Sequence, residues 1–166
     1  MDSVLAYFDT LLGLPIHPTV VHFLVVAGVA VSVVVLWRLA RNRKVTRNLL
    51  WAAFFGFVAA FVSVISGEAL ATRVGFEQIE RLGHDTYGGL LLILTFVQFV
   101  LLAVMRWWDS KRRRRNTWVR NVLALLLGVA AMLVVGSTLL AMHTGTQAVW
   151  QGEISHSDFG TYEETD

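Results

Sequence analysis

The stretch TYGGLLLILTFVQFVLLAVM, Thr86 to Met105, contains not one charged side chain. Wound as an α-helix at about 1.5 Å per residue, roughly 20 apolar residues cross a hydrocarbon layer about 30 Å thick, and this run has that length. Asp85 closes the run at one end and Arg106 at the other. Three more runs of the same kind flank it: Thr19–Trp37, Leu49–Gly67 and Val122–Met142, all free of charge and all of spanning length. All four are apolar around the whole helix. A chain of 166 residues is too short to bury four such helices in a water-soluble core. Mean hydropathy is +0.59, and 55% of the residues are hydrophobic. The expected fold is all-α: an up-down bundle of four transmembrane helices over residues 1–145, then a soluble acidic tail over 146–166.

The charges set the threading. Arg38, Arg41, Arg43, Lys44 and Arg47 fill the turn after the first span. Arg106, Lys111, Arg112, Arg113, Arg114, Arg115 and Arg120 fill the turn after the third. Of all the basic residues only Arg73 and Arg81 lie elsewhere, and Asp109 is the one acid among those in the turns. Basic residues collect in cytoplasmic loops, so both turns are expected inside and both termini outside, in the plasma membrane of a prokaryote. Trp37, Trp51, Trp107, Trp108 and Trp118 mark the inner interface as an aromatic belt. The pI near 9.4 therefore reflects topology beside anionic headgroups and not a nucleic-acid partner.

At the amino end, Asp2 and Asp9 with no basic start argue against a cleaved leader. The segment Val4–Leu14 (VLAYFDTLLGL) is too short to cross and is expected as an interfacial helix. Residues 69–82 are expected to form a second surface helix, with Phe76, Ile79 and Leu82 facing the lipid. The end of the chain carries Glu153, Asp158, Glu163, Glu164 and Asp166 and reads as a disordered tail or an acidic docking strip.

Five histidines stand out, and alternate threading puts four of them at the outer ends of the spans. Depth follows from position along each helix, measured from the basic residue that bounds its inner end. His17 is measured from Arg38, Glu68 from Arg47, His84 from Arg106 and His143 from Arg120. At the helix rise these four share a level roughly 31–35 Å above the basic edge. His22, measured from Arg38, falls deeper, at about 24 Å. On span three, His84, Gly88, Leu91, Thr95 and Gln98 form one stripe, and the span's only mid-membrane amide marks it as the inward face. On span four, Met132, Gly136 and His143 share a stripe that is read as inward too. Gly88, Gly89 and Gly136 either leave room for a flat ligand or let helices pack closely. From His17 to His22 a regular helix turns through about 140°, so the two rings cannot both serve one small ion.

Imidazole is the commonest metal ligand, and bundle sites are built from facing helices. Three functions follow. The first is a b-type cytochrome-like electron carrier or redox-complex subunit. Its haem b is ligated by two histidines, His22 and His84 first, with His17–His84 or His84–His143 as level alternatives. Arg73 and Arg81 would answer the propionates, and a quinone or an external redox protein would be the partner. The second is a copper or zinc site drawn from His17, His22, Glu68, His84 and His143. The third is a cofactor-free anchor of a larger membrane complex. Without cysteine, disulfides, thiolate catalysis and iron–sulfur ligation are excluded. With no nucleotide loop, nucleophile elbow or HExxH, a stand-alone enzyme has little support.

At these residues the sequence resembles a family of predicted four-helix membrane proteins of unknown function. The match runs over about residues 15–145. It opens on His-Pro-x-x-Val-His-Phe, here His17 to Phe23, and continues through Ser66-Gly67-Glu68, His84 and the closing His143-Thr144-Gly145. The usual family form continues His-Phe-Pro, whereas here Leu24 follows Phe23. Members sometimes join Rieske-type iron–sulfur domains, so the resemblance implies a redox neighbourhood without assigning a reaction.

Overall fold

In the computed structural model, residues 10, 11, 14–74, 83–110 and 117–156 are described. Four helices carry the fold: α1 (Ile16–Ala40), α2 (Arg47–Val74), α3 (His84–Ser110) and α4 (Thr117–His156). Each is long and apolar enough to cross a membrane. The chain is a multi-pass membrane protein, and lipid is its environment.

Local chemistry fixes where α1 stops and α2 starts. The last turn of α1 closes with Arg41 N–H donating to the Trp37 carbonyl (3.1 Å) and Arg43 N–H to the Arg38 carbonyl (2.8 Å). That closure needs a left-handed residue between them, and Asn42 supplies it at φ 50°. Asparagine tolerates this region better than most side chains. Thr46 then caps α2, its Oγ1 accepting from the Leu49 N–H at 3.4 Å. At the start of α3, Gly83 takes φ 68° and its carbonyl accepts the Tyr87 N–H at 3.0 Å.

The helices form a ring in which α1 packs on α2 and α4, and α3 packs on the same two. α1 and α3 are therefore diagonal, as up-down threading predicts. Phe54 with Phe99 (5.6 Å between ring centres) and Phe57 with Phe96 (5.2 Å) stitch α2 to α3. The outer surface is apolar: Val26 is 71% exposed, Leu125 67% and Ile93 61%, a cladding that suits lipid and not water.

The two ends of the bundle differ. At the basic end, Arg106 Nη1 donates to the Val45 carbonyl (3.3 Å). Arg120 Nη1 donates to Asn42 Oδ1 (3.2 Å), and its Nε stands 3.6 Å from Asp109 Oδ1. Above this lies a core of large apolar side chains, with Val35, Leu49, Leu102, Met105 and Leu127 buried. Towards the histidine end the core narrows to Leu24, Ala59, Ala60, Leu91 and Val134. Among the described residues, the buried polar ones other than Asp109 belong to this upper part or to its floor: Ser32, Ser63, Ser66, Thr95, Gln98, Ser137, Thr138 and Thr144. At the floor, Gln98 Nε2 donates to Ser32 Oγ at 3.2 Å, joining the diagonal helices α1 and α3.

Three local expectations change. Of the segment Val4–Leu14, residues 4–9, 12 and 13 lie outside the described residues; at its end the chain is extended, β1 (Thr10–Leu11) pairing antiparallel with β2 (Leu14–Pro15). The ring of Pro15 cannot sit inside a helix, and Gly13 weakens one. Residues 69–74 belong to α2 itself, and 75–82 lie outside the described residues. The carboxyl-terminal segment stays helical as far as His156 as a continuation of α4, because residues 146–156 contain no proline to stop it.

Candidate functional site

α1 begins at Ile16, and Pro18 sits in its first turn, where its missing N–H costs nothing. This start brings the half-buried His17 ring against α2. The ring's Nδ1 lies 2.9 Å from the Ser63 carbonyl. A carbonyl only accepts, so Nδ1 carries the proton and the basic lone pair belongs to Nε2. Ser66 Oγ, which donates to the same carbonyl at 3.2 Å, lies 3.4 Å from Nδ1. The ring can approach because residue 67 has no side chain. A Cβ on Gly67 would stand 2.9 Å from the ring's Cε1 and 3.1 Å from Nδ1. Ser63, Ser66 and Gly67 thus form a seat for one imidazole and set its tautomer.

His17 shares its helical stripe with Leu24, Gly28, Ser32 and Val35, all buried. His22 falls on the opposite face beside the exposed Phe23 and Val26. Its Nδ1 turns back to the Pro18 carbonyl on its own helix, 2.6 Å away. The two rings do diverge as their spacing predicts, and the structure shows which one faces the bundle.

On α3, Leu91, Thr95 and Gln98 are buried, so the stripe headed by His84 and Gly88 is the inward one. His84 opens that helix; its side chain lies outside what is described. On α4 the expected inward stripe is the outward one. Met132 is 57% exposed and His143 is exposed, while Ala130, Ala131, Val134, Ser137 and Thr138 are buried. Small and hydroxylated residues make the packing face because they let backbones approach. Glu68 is exposed on α2. Among the described residues, no three of His, Cys, Asp or Glu gather where they could hold a metal ion. Arg73 lies in the last turn of α2 with its side chain outside the described set, and Arg81 lies outside altogether.

Several glycines of the spans, Gly136 on the outward face of α4 among them, do not sit at helix contacts. At Gly56, Gly88, Gly89 and Gly136 no atom lies within 4 Å of where a Cβ would stand. Close packing does not explain these glycines. The hydroxyls around them are satisfied locally: Thr95, Ser137 and Thr138 donate to carbonyls of their own helices at 2.7–3.2 Å.

The family model described as "Predicted membrane protein (DUF2231)" matches residues 13–158, which includes the His17 seat and all four spans. The chain belongs to this family. The match begins just before the His-Pro motif of α1. No curated protein and no solved structure matches the chain. Membership in DUF2231 carries the membrane assignment and leaves the chemistry to be argued from the residues themselves.

Proposed function

We propose that this DUF2231 chain is a b-type cytochrome-like electron-transfer protein, or the equivalent subunit of a redox complex, with haem b held between His17 and His84. The observation that carries the reading is the fixed His17 ring. Ligating histidines characteristically donate their other ring N–H to a carbonyl or carboxylate, which sets the tautomer and orients the ring. Ser63 accepts that bond, and Gly67 gives the ring room. His84 heads the inward stripe of the diagonal helix at a matching level, about 33 Å along its helix from Arg106 against about 32 Å from Arg38 for His17. His17 thereby replaces His22 as the first choice of partner, because His22 faces away from the bundle.

One or two histidines would suffice to hold a haem, whereas a copper or zinc site takes three or four ligands. Glu68 and His143 are both exposed, which favours the two-ligand group. The haem would supply one-electron chemistry. The chain orients one ligand through Ser63. Gly88, with nothing within 4 Å of where a Cβ would stand, leaves space on the inward stripe of α3, and the apolar core beneath keeps water from that end. A quinone or an external redox protein is the partner. The basic turns face the cytoplasm and the histidine end faces outward; cysteine labelling at position 42 from one side of intact cells tests that orientation.

The functional test is the absorption spectrum of the detergent-solubilised protein, oxidised and reduced. A Soret band that His17→Ala and His84→Ala each abolish, and that His22→Ala and His143→Ala leave in place, is the expected result. A colourless protein with stoichiometric copper or zinc would select the metal site. A colourless, metal-free protein recovered within a larger assembly would select the anchor.

A further inference from the structure

At the basic end, between α2 and α3, lies an open cavity of about 520 Å³. Its rim is polar and its lower wall is apolar. Lys44 and Arg106 stand on the rim with Trp107, and Leu50 and Ala103 line the side towards the hydrocarbon. Lys44 is exposed in the turn between α1 and α2. Arg106 is half-buried, its Nη1 spent on the Val45 carbonyl (3.3 Å), which holds the planar guanidinium at the cavity with further N–H groups to offer. One acid, Asp109, also lines the cavity. Its carboxylate is buried, and Arg120 approaches it to 3.6 Å from α4, an ion pair that offsets its charge. Ser110 Oγ donates to the Trp107 carbonyl (2.7 Å) and does not compete.

We propose that this cavity seats the phosphate of an anionic phospholipid, with Lys44 and Arg106 on the phosphate and the acyl chains descending past Leu50 and Ala103. The occupant follows from the arrangement. Two cations flank an opening at headgroup level, an indole that is 54% exposed lies beside them, and an apolar wall continues into the membrane. Basic pockets between transmembrane helices hold lipid headgroups by this combination. A soluble phosphate would use the rim and leave the apolar wall without a role. The site is remote from the histidine end and stands or falls independently of the haem.

The test uses the full chain in phosphatidylcholine vesicles containing phosphatidylglycerol, with bromine on the acyl chains of one lipid or the other. Trp107 is the reporter, isolated by subtracting the emission of Trp107→Phe. Each basic group near the surface contributes about 1 kcal/mol, so two predict that brominated phosphatidylglycerol occupies the quenching position about 30-fold more readily than brominated phosphatidylcholine. Lys44→Gln alone should reduce the preference by about 5-fold. Lys44→Gln with Arg106→Gln should abolish it. The single variant covers the case in which the double variant fails to fold, since the Lys44 side chain is exposed. A preference that survives Lys44→Gln unchanged overturns the proposal. So does one lost on replacing Arg112, Arg113, Arg114 and Arg115 by glutamine, which would mean diffuse surface attraction. Displacement of the brominated lipid by millimolar glycerol phosphate would mark the site as one for a free phosphate and would overturn the lipid assignment as well.

Discussion

Gly67→Ala isolates the His17 seat. A methyl group at position 67 would stand 2.9 Å from Cε1 and 3.1 Å from Nδ1 of the imidazole, closer than carbon atoms in proteins approach. The obstacle is a side chain and not backbone, so the helices still assemble and the ring turns away. Turning breaks the 2.9 Å bond from Nδ1–H to the Ser63 carbonyl. That loss costs about 0.5–1.5 kcal/mol, and an off-rotamer ring adds about the same. Alanine is also the better helix former, by about 1 kcal/mol. Gly136→Ala brings the same helical gain with nothing within 4 Å to obstruct it. The difference between the two variants therefore isolates the seat at about 1–3 kcal/mol. Unfolding of each purified variant in mixed detergent and dodecyl sulfate micelles measures it. Haem titration supplies the functional readout: loss of a bond that orients a ligating histidine typically weakens binding by about 10- to 100-fold. If Gly67→Ala unfolds at the same point as Gly136→Ala and binds haem as the parent does, the seat does not hold His17 and the reasoning fails.

Two further outcomes follow from the polar contacts within the bundle. Ser32→Ala and Gln98→Ala, combined in a double-mutant cycle, should show a coupling of about 0.6–1.7 kcal/mol, the range for interhelical hydrogen bonds in membranes; additive effects would mean the diagonal bond contributes nothing. Arg120→Ala removes an ion-pair partner of buried Asp109 and should destabilise the protein by on the order of 3 kcal/mol, with Asp109→Asn restoring much of the loss. Equal stability of Arg120→Ala and the parent in the same unfolding assay would show that Arg120 is dispensable there.

The four spans were legible because hydrocarbon admits only charge-free helices of sufficient length, and the charged residues delimit them. Their true ends were less legible. α2 continues to Val74 and α4 to His156, well past the apolar runs, because nothing in those segments terminates a helix. On α3 one amide in an apolar helix identified the inward face, and Gln98 does lie inside. α1 gave no such cue: it is apolar on every side, so the choice between His17 and His22 depends on what faces it. The deciding features sit on another helix, in the small residues Ser63, Ser66 and Gly67. α4 misled through its histidine. The row Ala130, Ala131, Ser137, Thr138 and Thr144 is the visible sign of its packing face, and a search for small and hydroxylated residues would have found it.

The length of α4 bears on how anything soluble reaches the histidine end. Its 40 residues make a rod of roughly 60 Å, about twice the thickness of the hydrocarbon. The stretch from His143 to His156 alone adds roughly 20 Å of rod beyond the last span. Under the proposed function, an external redox protein would meet this post before the mouth of the bundle. Glu68, exposed near the top of α2, puts a negative charge at the same end of the bundle.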